Sequence, residues 1–295
     1  MDDRTPVLLD TDIGSDIDDA LALAYLLAER RCNLLGVSTV SGEAGKRAML
    51  ADAVCQAAGR PDVPVWSGAD KPLVMEQQQR EAPQAEVLGN WEHREDFEPN
   101  TAVLRMREVI RNYPGDIALI TVGPLTNIGL LFSLDPQIPA MIDRLIIMGG
   151  TYVNPPGREW NVSCDPHAAA IAFGADVAKI RAYGLDVTTQ CKMNAADCRD
   201  MISGGPLDLV AEMAEVWFRE RDEITFHDPL AACCAFEPET CTYRHGQVQV
   251  EWNDRERMGH TSFEEQTGGK HGVADDVNVQ EFFDRFFGTV EVFKE

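Results

Sequence analysis

The chain of 295 residues carries 49 Asp and Glu against 26 Lys and Arg, a formal charge of -23, with 44% hydrophobic and 25% charged residues. That length and composition suit a soluble globular protein with a sizeable core, and the acidity argues against nucleic acid or an anionic membrane as partner, since both need a basic surface. The opening "MDDRTP" lacks the basic and apolar regions of a secretory signal, and no apolar run reaches bilayer length, so the cytoplasm is the expected compartment.

From the N-terminus, "PVLLD" at 6–10 reads as a short buried strand, and "DDALALAYLLAERR" from Asp18 as a helix whose first-turn acids favour the positive end of its dipole. "NLLGVSTV" is the second strand, "AGKRAMLADAVCQAAGR" the second helix, closed by Gly59 and Pro61, and "VPVWSG" the third strand. This β-α-β-α-β opening implies a parallel sheet with right-handed crossovers. The pattern lapses over 70–100, a polar stretch rich in Gln and Glu that is expected to be disordered or to form a mobile lid. It resumes with a helix at 101–112, the strand "DIALITVG", the helix "PLTNIGLLFSL" and the strand "RLIIMGG". The loop "TYVNPPGREWNVSC" leads into the helix "DPHAAAIAFGA", with Asp165 as N-cap and Pro166 at its first position. "KIRAYGLDV" reads as a strand, and helices are expected near 194–202 and 207–221. After "FHDPLAACCAF", the tail from "QVQVEW" to "VNVQEFFDRFF" reads as a hairpin and a helix. No repeat or Pro/Gly/Ser linker interrupts residues 1–295, so the expectation is one α/β domain with an open, mostly parallel, Rossmann-like sheet flanked by helices. Eight cysteines without a CxxC pair sit mostly among apolar residues and read as buried, reduced thiols.

Ligands of open α/β sheets bind at the carboxyl ends of the strands. Four segments that carry chemistry follow candidate strands or open helices there: the aspartates near the N-terminus, "TVGPLTN", "MGGTYVNPPGREWN" and "FHDPL". Between Leu8 and Leu27 stand Asp10, Asp12, Asp16, Asp18 and Asp19. Helix capping needs one or two acids, and burying several unpaired carboxylates is costly, so a compensating cation is expected. An EF-hand does not fit, because counting from Asp10 the sixth position is Ser15 rather than Gly and the twelfth is Leu21 rather than Glu. A haloacid-dehalogenase-type Mg²⁺ phosphatase would use Asp10 as nucleophile and Asp12 as acid, with Asp275 and Asp276 as its later acidic motif. Against it, Asp18 and Asp19 open the first helix, where a phosphate prefers amides and basic groups.

"DTDIGSDIDDALAL" resembles the "DxDxGxDDA" signature of the inosine-uridine-preferring nucleoside hydrolases, with two extra residues before the Asp18–Asp19 pair. The resemblance continues through "TVGPLTN", "GREWN" followed by "DPHAA", and His227 with Asp228, and so spans nearly the whole chain. It implies the fold of that family, a Ca²⁺ ion, and hydrolysis of a ribonucleoside to ribose and free base. By position it implies that Asp12, Asp19 and Asp228 supply carboxylate oxygens and Val122 a backbone carbonyl, hard donors of the kind Ca²⁺ selects, with Asp10 orienting them. Asp12 is implied as general base toward a water whose deprotonation the cation eases, in a reaction with an oxocarbenium-like ribosyl state that surrounding carboxylates favour. Asp18, Asn154, Glu159, Asn161 and Asp228 are implied on the sugar, and the i, i+2 spacing of Glu159 and Asn161 would put both on one side of an extended segment. His227 is implied as the residue that protonates or contacts the departing base. Asn127 and Asp165 read better as a loop brace and a cap than as ligands.

The implied partners are a small ribonucleoside and further copies of the chain, as a homodimer or homotetramer. A non-catalytic Ca²⁺- or nucleoside-binding relative is the other reading within the fold, but it would not require Asp12, Glu159, Asn161 and His227 together. Two departures leave the base open between purine and pyrimidine. Glu43 stands where relatives commonly carry Asn, and 77–96 lacks the "HG.xGL" loop whose histidine contacts the base, which leaves open whether Glu43 or His93 does so.

Overall fold

The computed structural model describes residues 3–153 and 157–294. The first half runs β1 (Thr5–Thr11), α1 (Asp18–Ala28), β2 (Cys32–Thr39), α2 (Ala44–Ala57), β3 (Val65–Ser67), α3 (Ala102–Asn112), β4 (Ile117–Thr121), α4 (Thr126–Leu134) and β5 (Ile142–Met148). The second half runs α5 (Trp160–Cys164), α6 (Pro166–Gly174), β6 (Ile180–Tyr183), α7 (Leu185–Thr188), β7 (Lys192–Asn194), α8 (Ala195–Met201), α9 (Pro206–Trp217), β8 (Glu223–Thr225), α10 (His227–Cys233), β9 (Cys241–Val250), β10 (Thr261–Glu265), β11 (His271–Val277) and α11 (Val279–Val290).

Nine strands form one sheet in the order β10-β9-β11-β6-β5-β4-β1-β2-β3. From β11 to β3 every neighbouring pair is parallel, while β9 pairs antiparallel with both β10 and β11. The expected α/β fold with a mostly parallel sheet is therefore present, and its antiparallel edge is the hairpin read from "QVQVEW" onward. Alternation along the central strands divides the core into two layers. Val7, Leu9, Ala118 and Ile120 join the layer that contains α1, α2, α9, α10 and α11, whereas Leu8, Ile117 and Leu119 join the layer beneath α3, α4 and α6.

The first of these layers positions the site. Every residue of α1 except Leu27 is buried, so this helix is enclosed on all sides, consistent with its Ala- and Leu-rich sequence. Tyr25 of α1 stacks on Phe286 of α11 at 5.8 Å between centroids, and Phe226 packs edge-on against Phe283 and Phe286 at 5.1 and 5.5 Å. This aromatic cluster fixes the entry to α10 immediately before His227 and Asp228. All eight cysteines are free and buried, as their apolar neighbours predicted.

Two local expectations give way, and at 70–100 the alternative of disorder falls. Leu185–Thr188 is the short helix α7 rather than the end of a strand, because Gly184 breaks β6 and the amides of Val187 and Thr188 turn back to its carbonyl. The loop at 151–164 closes in the helix α5. The polar stretch at 70–100 is ordered by a 3₁₀ helix over Pro83–Asn90, whose Gln84, Val87 and Leu88 are buried. The strands β7 and β8 form a separate antiparallel pair that their three-residue length hid from pattern reading.

Candidate active site

Where β1, β4 and β5 end, the chain encloses a cavity of about 630 Å³. At its floor Thr11, the last residue of β1, donates its hydroxyl to Asp19, and the Asp12 amide reaches the same carboxylate oxygen at 3.2 Å. Asp18 and Asp19 occupy the first turn of α1, where the helix dipole favours negative charge. Asp18 accepts the backbone amide of Asp228 at 3.0 Å, which ties α1 to α10. One carboxylate oxygen each from Asp18, Asp19 and Asp228 lies within 4.8 Å of the others, so these three could hold a metal ion. Asp12 faces the cavity beside them, and a Cβ at Gly123 would lie 2.7 Å from its Oδ1, so only glycine lets the chain leaving β4 pass this close.

Behind the floor, Asp10 has no accessible surface. Its Oδ1 accepts from Ser38 Oγ at 2.5 Å and from Asn127 Nδ2 at 2.8 Å, while Asn127 also donates to the Thr39 carbonyl and accepts from the Ala69 amide. Asn127 is thus the brace its motif suggested. Burial is the main cause that pushes Asp10 up to about 7, and its second oxygen is buried without a hydrogen-bond partner. A fully enclosed Asp10 cannot attack an incoming phosphate ester, and Asp275 of β11 instead accepts from Thr242. These placements remove the phosphatase reading.

The wall is built by α5. Glu159 is its N-cap, its Oε1 accepting from the Asn161 amide at 2.8 Å and its Oε2 from the amides of Val162 at 3.0 Å and Gly150 at 2.9 Å. The two residues share the cavity as expected, but through a cap and a first turn rather than an extended segment. Asn161 Nδ2 donates to the Val122 carbonyl at 2.7 Å, so the wall and the candidate carbonyl ligand are held together. Asn154 lies outside the described residues. Asp165 caps α6 by accepting from the Ala168 amide and also takes the Thr126 hydroxyl, both away from the cavity.

His227 lines the cavity with Nδ1 2.7 Å from the Thr188 hydroxyl. Burial, reinforced by the Lys192 charge, pushes its imidazole down to about 4, so it is neutral at pH 7. Burial likewise pushes Asp12, Asp18, Asp19 and Asp228 up; repulsion from neighbouring aspartates adds to the last three, while the Arg47 charge opposes the rise at Asp12 and Asp19. Asp16, also on the cavity, is pushed up to about 6. Such a set of buried oxygens, short of positive charge, fits a hard divalent cation.

The roof comes from the segment that sequence reading left between lid and disorder. Gln78, Gln79, Arg80, Glu81 and Pro83 line the cavity. The Gln79 side chain faces the Asp12 carboxylate, where it opposes the rise that burial causes, and accepts from Trp160 Nε1 at 3.2 Å. Glu43 pairs with Lys46 and accepts the Ala82 amide at 3.0 Å, so it holds the roof from outside. His93 turns to the Trp91 carbonyl and is not part of the lining. At the rim stand Trp160, Trp217 and Arg221, the last with its guanidinium 5.3 Å from the Trp217 ring. Gln79, Trp217 and Arg221 escaped the sequence analysis because none sits in a motif.

The family model described as inosine-uridine preferring nucleoside hydrolase matches residues 7–284. Among curated relatives, uridine nucleosidase 1 of Arabidopsis thaliana is 30% identical over 83% of this chain and 78% of its own length. The pyrimidine-specific ribonucleoside hydrolase RihA of Salmonella typhi is 31% identical over 95% of this chain and 96% of its own. Among solved structures, a plant nucleoside hydrolase superposes with a TM-score of 0.79 at 26% identity, covering 97% of this chain and 98% of that one. A purine-preferring ribonucleoside hydrolase from Gardnerella vaginalis shares the fold with a TM-score of 0.83 at 24% identity, covering 98% of both chains. The chain therefore belongs to the inosine-uridine preferring nucleoside hydrolase family and is an N-glycosyl hydrolase that splits ribonucleosides into ribose and free base.

Proposed function

We propose that the hydrolysis depends on Ca²⁺ held by Asp12, Asp19, Asp228 and the Val122 carbonyl, with Asp12 as general base. The observation that carries this reading is the convergence of Asp12, Asp18, Asp19, Val122, Glu159, Asn161, His227 and Asp228 on one cavity from five separate stretches of chain. When bound, the ion would offset the carboxylate repulsion and make a neighbouring water more acidic. Asp18 is as close to Asp19 and Asp228 as a ligand would be, which supports a place for it at the junction of ion and sugar. Glu159 and Asn161, fixed by backbone contacts, would receive and orient the ribose hydroxyls, with Asp228 shared between sugar and ion, and Asn154 remains assigned to the sugar from sequence alone. The Asp12 carboxylate takes the proton from water, and the buried acids stabilise positive charge developing on the ribosyl ring. His227 acts at the departing base. Nδ1 is paired with the Thr188 hydroxyl, and in the tautomer in which that hydroxyl donates, the neutral ring would carry its proton on Nε2 and offer it as a hydrogen bond.

The names of the curated relatives favour uridine as the first substrate to try, and inosine is the natural purine comparison. The test is reducing-sugar release from uridine, cytidine and inosine, with and without EDTA. Ribose released only in the absence of EDTA supports the reading, whereas no release from any ribonucleoside at saturating calcium contradicts it. Eight buried free thiols support a reducing compartment, the cytoplasm. We further infer one domain over 1–295 and a homodimer or homotetramer, which light scattering would check.

A further inference from the structure

Arg47 of α2 is completely buried and is the bulkiest side chain the interior encloses. A guanidinium out of water is costly unless its donors are satisfied. Here they meet backbone carbonyls and one hydroxyl. Nε donates to the carbonyls of Ser41 and Gly42 at 2.8 and 2.9 Å. Nη1 donates to the Asp12 carbonyl, to the Ile13 carbonyl at 3.1 Å and to Ser15 Oγ at 3.0 Å. Nη2 donates to the Glu81 carbonyl at 3.0 Å, and Ser15 Oγ completes a triangle by donating to the same carbonyl at 3.2 Å.

Three stretches of loop thus meet on one planar group. One is the loop that follows β1, lengthened by two residues relative to the "DxDxGxDDA" signature and carrying Asp12. Another is the turn at 41–43, where Ser41 and Glu43 have left-handed φ of 72° and 54°, a conformation few side chains adopt without support. The last is the roof, whose Gln79 lies on Asp12; a Cβ at Gly42 would sit 2.1 Å from the Gln79 carbonyl, so turn and roof are in direct contact.

We propose that Arg47 is a positioning residue that holds the loop presenting Asp12 and ties the roof segment at Glu81 to it, so that floor and roof respond together when the cavity is filled. The inference rests on the reading of Asp12 as the group that meets the attacking water. Lysine cannot replace the fork, because an ammonium is a compact point charge that cannot span the carbonyls of Asp12, Ser41 and Glu81 in one plane.

The test compares Arg47→Lys and Ser15→Ala with the parent enzyme by kinetics on uridine and by hydrogen exchange of amides 78–82 before and after calcium and ribose are added. In the parent, addition slows exchange across the roof. Arg47→Lys should lose on the order of 10²-fold in kcat, the scale expected when a reacting group is displaced by about 1 Å, and should abolish the exchange response. Ser15→Ala removes one hydroxyl, should keep the fold, and should weaken the response while raising KM more than it lowers kcat. An Arg47→Lys protein that melts earlier but retains parental kcat, KM and exchange response would show Arg47 to be a buttress only, and would overturn the proposal. Should Arg47→Lys fail to fold, an unchanged exchange response in Ser15→Ala overturns it equally. A parent enzyme that releases no ribose from any nucleoside would remove the functional reading instead, with the exchange response to calcium still readable.

Discussion

Floor and roof of the cavity face the same space and are built in opposite ways. Asp12, Asp18, Asp19 and Asp228 are 2–5% exposed, stand at strand ends or in first helical turns, and are fixed by backbone amides or by Thr11. The roof is a polar segment without a strand or α-helix of its own, held by Glu43 and Arg47 and by side-chain contacts of Gln78 and Gln79. The floor groups are placed on rigid elements, whereas the roof groups sit on a segment tied to the rest of the chain by a few hydrogen bonds. If this contrast is right, substitutions in the floor should act on metal binding and kcat, and substitutions in the roof mainly on KM.

The largest effect is expected from Asp19→Ala. Asp19 belongs to the acidic triad and orders the Asp12 amide, so its loss should abolish calcium binding by calorimetry and activity with it. Unchanged affinity would remove Asp19 from the ion. Asp12→Asn should lower kcat by about 10²-fold or more while a nucleoside analogue still binds, because the base is lost but the ribose contacts remain. Near-normal kcat would take the role of base away from Asp12.

His227→Ala distinguishes chemistry from scaffolding at the leaving-group end. It should slow uridine more than p-nitrophenyl riboside, whose phenolate departs unaided, by about 10- to 10²-fold, the scale of one hydrogen bond to a group gaining negative charge. Because Asp228 is adjacent, calcium affinity must be measured on the same variant. Equal slowing of both substrates with calcium binding intact would make His227 positional. The smallest effect is expected in the roof, where Gln79→Ala removes the amide that faces Asp12 and the hydrogen bond from Trp160. It should raise KM about tenfold or less with kcat little changed. A kcat loss as large as that of Asp12→Asn would erase the distinction between floor and roof.

The same contrast explains what the sequence made legible. The strands and helices that carry the floor announce themselves by apolar runs, and the aspartates by a crowding that no packing argument tolerates without a cation. Asp228 was recognisable only through the resemblance of the His227–Asp228 pair to the family's motif, since one acid in the first turn of a helix is otherwise an ordinary feature. Glu159 and Asn161 were recognised through the family resemblance, and the supporting geometry was wrong, since spacing alone does not distinguish an N-cap and first turn from an extended segment. The roof was opaque. Its order depends on Arg47, about 34 residues earlier in the chain than its Glu81 contact, and on a turn with left-handed residues at Ser41 and Glu43 that no local preference predicts. Long-range hydrogen bonds to backbone carbonyls leave no periodicity to read, which is why Gln79, Trp217 and Arg221 emerged only from the structure.

The most direct measurement of the central claim is a calcium titration of metal-stripped enzyme in which bound ion and ribose release from uridine are followed on the same samples. The account predicts that activity is absent at the start, rises in proportion to occupancy, and saturates at a single equivalent of calcium per chain. Full activity in the stripped enzyme, or activity that does not follow occupancy, would contradict a cation site on the aspartate floor as the seat of the chemistry.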